Sequence, residues 1–132
     1  MDKVKILNYL NNNELSEIEE LPYKDDALVV RFFYDFDEDE IKSAKAYAND
    51  ESEGEKEDDE WYEEFFLPYL NDLAIDNVGE ILEDSMEELN LDVQYISYEA
   101  DSENYDYCEF IAVFFEKGEN IEIEDVMDKL EL

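Results

Sequence analysis

The sequence contains no histidine, one cysteine and three glycines, and each scarcity argues against a class of chemistry. Without histidine there is no Ser–His or Cys–His nucleophile and no imidazole ligand for a metal ion. Three glycines leave no glycine-rich loop to cradle a phosphate. Cys108 has no partner for an internal disulfide, and its apolar strand setting is typical of a buried thiol. We therefore expect a protein that is not an enzyme, with no catalytic residues, no cofactor and no dedicated metal site.

Long apolar runs are also missing. No stretch approaches the roughly 20 apolar residues that a membrane-spanning helix needs. The first seven residues do not resemble a signal peptide, because polar side chains interrupt their short apolar run. With 132 residues, of which 45% are hydrophobic and 14% aromatic, the chain can build a core as a single domain. The expectation is one cytoplasmic domain covering residues 1–132.

Basic residues are few compared with acidic residues. Nine Lys and Arg face 42 Asp and Glu, which gives a formal net charge of -33. Solubility usually needs a charge of magnitude about 2–8, and the excess destabilises the compact state through self-repulsion. Such a surface repels nucleic acid and anionic membranes directly, whereas it attracts basic proteins and divalent cations. We expect a basic protein partner, with no direct nucleic-acid or membrane contact and with an oligomeric state that the sequence leaves open.

Hydrophobic periodicity predicts an α+β fold. The strongest strand patterns are 27–36 and Tyr107–Glu116, which are apolar on both faces and therefore predicted to be central. A further strand is predicted over 91–100, while 15–22 fits either an irregular strand or one helical turn that begins with a capping box. Amphipathic spacing predicts helices at 2–12, 37–49, 60–73, 78–89 and 121–130. In this reading Pro68 kinks the third of these segments or begins a new turn there, and Asn77 caps the helix that follows.

The order of these elements predicts a four-stranded, mostly antiparallel sheet packed with helices. Helix, strand, strand and helix occur in that order within 1–49 and again within 60–132, with a flexible acidic loop at 50–59 between them. This order suggests two αββα units in one domain. An internal repeat and the ordinary packing of two ββα hairpins on helices both explain it.

The longest stretch of the sequence without a basic residue is 57–116, whose sixty residues carry 20 Asp and Glu. Within this span, the acids of the 78–89 helix follow i, i+3, i+4, i+7, i+8 and share a stripe about 12 Å long. Like charges at i, i+4 destabilise a helix, so the stripe is not what folding alone favours. Together with the loop after the third predicted strand, this face predicts the following partner-binding residues: Glu80, Glu83, Asp84, Glu87, Glu88, Asp101 and Glu103.

In charge and size the chain resembles small acidic decoys, a class that includes DNA-mimic inhibitors, nuclease-toxin immunity proteins and phage anti-defence proteins. That resemblance implies a protein that occupies the nucleic-acid site of a basic partner. Two alternatives stay open at this point. The acidity of a structural or regulatory domain can serve solubility alone. Loose divalent-cation binding is the other, although the acidic run 35–40 lacks the Gly and Glu that an EF-hand loop requires.

Overall fold

The computed structural model describes residues 1–24, 26–52 and 57–132. Within them, helices flank two pairs of consecutive antiparallel strands as an α+β fold, which confirms the predicted class. A π-helical segment precedes the longest helix and is continuous with it. The elements are α1 Lys3–Asn12, β1 Ser16–Leu21, β2 Ala27–Asp35, α2 Glu38–Glu51, the π-helical segment Trp61–Phe66, α3 Leu67–Glu88, β3 Leu91–Tyr98, β4 Tyr107–Glu116 and α4 Ile123–Leu130.

The four strands of the described residues form one antiparallel sheet in the order β1-β2-β4-β3. The two strands predicted to be central are the central pair, and their register runs from Ala27 opposite Phe115 to Asp35 opposite Tyr107. The ambiguous 15–22 segment is an irregular strand, since β1 shifts register between Ser16 and Glu19. Its irregularity is a bulge, which is common on edge strands.

One face of the sheet is covered by α1 and α3. Phe32 of β2 stacks on Phe110 of β4, with ring centroids 5.6 Å apart. Alternate apolar residues of both strands point to this face and, except for the half-buried Tyr34, are buried, as period-two patterning requires. The helices contribute these buried side chains to the same cluster: Ile6, Leu10, Ala74, Val78 and Leu82.

The other face is covered over half its length, by α4. Ile123 and Val126 pack on the apolar ends of β2 and β4. Gln94 of β3 fixes the start of the helix, because its Nε2 donates to the Ile121 carbonyl at 2.7 Å and its Oε1 accepts from the Ile123 amide at 2.8 Å. This side-chain contact explains why α4 begins two residues later than the sequence predicts.

The last helix of the first half, α2, does not lie on the sheet face that α4 covers. Asp37 and Glu40 form a reciprocal capping box at the start of α2. Ala44 and Ala48 of that helix are buried with Trp61 and the residues that follow it, away from the face that α4 covers. The two halves therefore share the predicted αββα order, while α2 and α4 are not placed equivalently on the sheet. Half of the second sheet face is left without a helix among the described residues.

The predicted helix break at Asn77 is wrong. α3 is continuous from Leu67 to Glu88, so the two helices expected there are one. Pro68 lies in its first turn, where the amide that proline lacks needs no helical acceptor. The Asn77 side chain does not cap the backbone, because its Nδ2 donates to the Tyr34 hydroxyl at 2.8 Å.

The π-helical segment anchors this long helix to α2. Hydrogen bonds of the i→i+5 type bring residues five apart onto one side, and Trp61 stacks on Phe66 with centroids 4.8 Å apart. The buried indole of Trp61 donates from Nε1 to Oδ1 of Asn49 at 2.9 Å. In the acidic segment 50–59, predicted to be flexible, α2 continues as far as Glu51, and residues 53–56 lie outside the described part of the chain.

None of the helices formed by the described residues combines the length and the apolar character that crossing a bilayer requires.

Candidate functional site: the acidic face of α3

The continuity of α3 doubles the acidic stripe that the sequence predicts. Asp72 and Asp76 precede Glu80 at i, i+4 spacing and are exposed on the same helix. From Asp72 to Glu88 the helix rises about 24 Å at 1.5 Å per residue. We call these seven exposed residues the acidic ladder: Asp72, Asp76, Glu80, Glu83, Asp84, Glu87 and Glu88. All five α3 residues predicted from the sequence belong to it.

The opposite side of the helix explains why the ladder faces outward. Val78, Gly79, Leu82 and Ser85 are buried against the sheet. The Ser85 hydroxyl, the only buried polar side chain among the described residues, donates to the Leu82 carbonyl at 2.5 Å and needs no further partner. Because successive residues turn by about 100°, five of the seven carboxylates fall within a sector of about 80°.

No basic residue of α3 offsets the repulsion between the carboxylates of the ladder. Five pairs stand at i, i+4 spacing, each worth a few tenths of a kcal/mol of repulsion. They are 72–76, 76–80, 80–84, 83–87 and 84–88. The last turn carries Glu87 and Glu88 with no base, although the negative end of the helix dipole disfavours acids there. Throughout 1–24, 26–52 and 57–132, the ion pairs formed by basic groups go to acids outside α3.

The charges of the ladder affect the pKa of a neighbouring tyrosine. The Tyr9 hydroxyl of α1 donates to the Ile81 carbonyl at 2.9 Å, which places it beside the C-terminal half of α3. Its pKa is raised above the ordinary value of 10, first by burial and then by the charges of Glu88 and Asp84. The carboxylates at the end of the ladder thus act on a group of another helix.

The loop residues predicted with this site lie at the other end of α3. Oδ1 of Asp101 accepts hydrogen bonds from the amides of Glu103 and Asn104, at 2.9 and 2.7 Å. The loop is tied to the first half of α3 through the Ala100 amide, which donates to Oδ1 of Asn71 at 3.1 Å. The structure therefore brings Asp101 beside the start of the ladder, about 20 Å along the helix from Asp84.

A groove of about 610 Å³ separates this loop from the helix. Asp101 and Asp72 both line it, as do Asp59, Glu63 and Glu99. Sequence reasoning missed Asp72 and Asp76 because it began the acidic helix at Asn77. Their i, i+4 spacing to Glu80 is the signal that extends the pattern across the supposed break.

Groups suited to nucleophilic or metal chemistry are held in inert settings. Cys108 is buried, and its Sγ lies 3.3 Å from the Tyr98 carbonyl. Burial, together with the charges of Glu109 and Glu99, raises the pKa of this thiol to about 11, so it stays protonated at neutral pH. In the part of the chain that the structure describes, no three carboxylate or thiol groups converge to hold a metal ion.

Comparisons of the chain with family models, with curated proteins and with solved structures found no match. An α+β architecture hosts many unrelated activities, so the fold class alone assigns no function. The charge and geometry of α3 are the features from which a function can be argued.

Proposed function

We propose that this protein is a non-enzymatic binding protein whose acidic ladder engages a basic partner and occupies the partner's nucleic-acid site. The observation that carries the proposal is the ladder itself: seven exposed carboxylates on one rigid helix with no base among them. A cytoplasmic, nucleic-acid-binding protein rich in Lys and Arg is the partner that this surface fits.

The spacing of the ladder supports a mimic of nucleic acid. Seven carboxylates over about 24 Å give one negative charge per roughly 4 Å of helix axis. Each strand of duplex DNA carries one phosphate per about 3.4 Å. Side chains that bind a row of phosphates can therefore meet a row of carboxylates at similar intervals, and the helix holds those carboxylates in place before binding.

The position of the charges favours a binding role over solubility. Solubility requires acids somewhere on the surface, and loops or the first turns of helices accept them at no cost. The ladder instead puts them at repulsive i, i+4 spacing and at the wrong end of the helix dipole. Stability given up at a surface site is typical of a surface kept for function.

The test is affinity capture from a lysate of the source organism at moderate salt, followed by identification of what is retained. A basic, nucleic-acid-binding protein is expected, and added duplex DNA should release it because both ligands compete for one site. Recovery of nothing at both low and physiological salt contradicts the proposal. A partner that stays bound to the protein when the partner is saturated with DNA also contradicts the proposal.

Two variants of equal charge separate the ladder from general acidity. The ladder variant neutralises four of its acids: Asp72→Asn, Asp76→Asn, Glu83→Gln and Glu87→Gln. The control neutralises four exposed acids outside α3: Asp50→Asn, Glu51→Gln, Glu119→Gln and Asp128→Asn. The ladder variant should lose the partner and the control should keep it. If both variants lose it equally, diffuse charge is responsible; if both keep it, the acidity serves only solubility.

A further inference from the structure

The second face of the sheet has an uncovered half, on the opposite side from α3. Where α4 ends, β2, β4 and β3 present a row in which Phe33 is opposite Glu109 and Glu109 is opposite Tyr98. Arg31 and Tyr107 extend this row along their strands on the same face. We call these five residues the open face: Arg31, Phe33, Tyr98, Tyr107 and Glu109.

The open face exposes aromatic rings at the end of the sheet where β2 and β3 finish and β4 begins. Tyr107 is 40% exposed and Tyr98 is 36% exposed, while Phe33 on the neighbouring strand β2 is half-buried. Phe33 and Tyr107 meet edge to face with centroids 5.3 Å apart. Neighbouring aromatic side chains that stay exposed on central and adjoining strands are typical of an interaction surface.

A groove of about 470 Å³ runs along the edge of this face. Its walls are the Phe33 and Tyr107 rings together with Ser16 and the carboxylate-bearing residues Glu17 and Asp35. Aromatic faces beside carboxylates are the environment that a guanidinium group prefers, because it stacks on the ring while its N–H groups bond the acid.

The charge of the open face leaves room for a cation. Arg31 supplies its one base, and that base is already paired, with Nε 3.1 Å from Oε2 of Glu109 and Nη1 3.8 Å from Oε2 of Glu19. Glu17 and Asp35 are exposed acids at the groove without a base of their own among the described ion pairs. A second copy of this chain would bring the same unneutralised acids against them. Charge complementarity therefore selects a basic occupant.

We propose that the open face is a docking site for an apolar segment of a basic protein, whose arginine enters the groove beside the Phe33 and Tyr107 rings and pairs with Glu17 and Asp35. The arginine side chain stacks on the rings through its planar guanidinium, and the flanking apolar side chains cover the exposed tyrosine of β3. This site is separate from the acidic ladder, because α3 packs on the other side of the sheet.

The test is an NMR titration of the isotope-labelled protein with a defined probe, the acetylated and amidated pentapeptide of alternating valine and arginine. In 0.15 M salt, which screens diffuse attraction, saturable shifts are expected at the amides of Phe33, Tyr107 and Glu109. A matched peptide with citrulline in place of arginine keeps the shape and removes the charge. It should bind at least about tenfold more weakly, since it lacks the ion pairs and the cation–π contact.

Protein variants locate the binding. Tyr107→Ala removes one wall of the groove from an exposed position and should weaken binding about tenfold. Tyr47→Ala, at a tyrosine of α2 that is 42% exposed, is the matched control and should change nothing. Equal binding of the citrulline peptide, shifts confined to α3, or an unaffected Tyr107→Ala variant would each overturn the proposal. Shifts at the open face that depend on protein concentration without peptide would assign it to a second copy instead.

Discussion

Replacing Glu87 by lysine should make the protein more stable and a poorer binder at the same time. Glu87 lies in the last turn of α3, at i+4 from Glu83 and at i+3 from Asp84. The substitution turns two repulsive pairs into attractive ones, with the acid on the N-terminal side as the helix prefers. It also puts a cation at the negative end of the helix dipole, where that turn has none.

Each repaired pair is worth about 0.5 kcal/mol, so the total gain, with the dipole contribution and with screening allowed for, is on the order of 1 kcal/mol at low salt. For a domain of this length that corresponds to a rise in Tm of about 4 °C. The assay is urea denaturation followed by the fluorescence of Trp61, which is 1% exposed and lies in the segment continuous with α3.

Two controls separate the local effect from net charge. Glu119→Lys makes the same change of charge in an exposed turn outside any helix and should gain clearly less. Glu87→Gln removes the repulsion without adding attraction and should give about half the gain. An unchanged or lowered stability, or a gain that persists undiminished in 1 M salt, would refute the electrostatic reasoning. A fully retained affinity for the basic partner would remove Glu87 from the proposed site.

Two further predictions concern contacts that position α3. Burial and the hydrogen bond to Glu40 raise the pKa of Tyr34 from 10 to about 12, so its stabilising contribution is present below pH 10 and is lost as pH rises through 12. Tyr34→Phe should cost about 1 kcal/mol at pH 7 and flatten this alkaline loss in urea titrations; an equal loss in both proteins would contradict the assignment. Gly79→Ala should fall short of the roughly 1 kcal/mol that helix propensity offers, because a Cβ would stand 2.8 Å from the Tyr95 hydroxyl. In a Tyr95→Phe background the shortfall should disappear, and identical effects in both backgrounds would exclude this contact as its cause.

The parts of the fold that were predictable are those with local causes. Alternation alone identifies β2 and β4 as central strands, because both faces of each are apolar over most of their length. The start of α2 follows from Asp37 and Glu40, which are three residues apart and cap each other. The exposure of the second half of the acidic ladder likewise follows from helical spacing.

What the sequence could not supply depends on distant contacts. Asn77 looks like a helix start until the structure shows its side chain bonded to Tyr34, 43 residues away. Gln94 delays α4 through a contact made 27 and 29 residues along the chain. The open face could not be foreseen from the sequence. It exists because α2 packs beside Trp61 and does not lie next to α4 on the second face of the sheet.

The π-helical segment has a consequence for the direction in which the charge points. An α-helix advances by about 100° per residue, so the one extra residue that a π turn accommodates sets the rotational phase of everything after it. Trp61 is fastened to Asn49 of α2 before that turn, and the acidic ladder follows it. Loss of a single residue between Trp61 and Phe66 would rotate the ladder toward the core or pull the indole from its place. The direction in which the acidic ladder points therefore depends on the number of residues in the π-helical segment as much as on their identity.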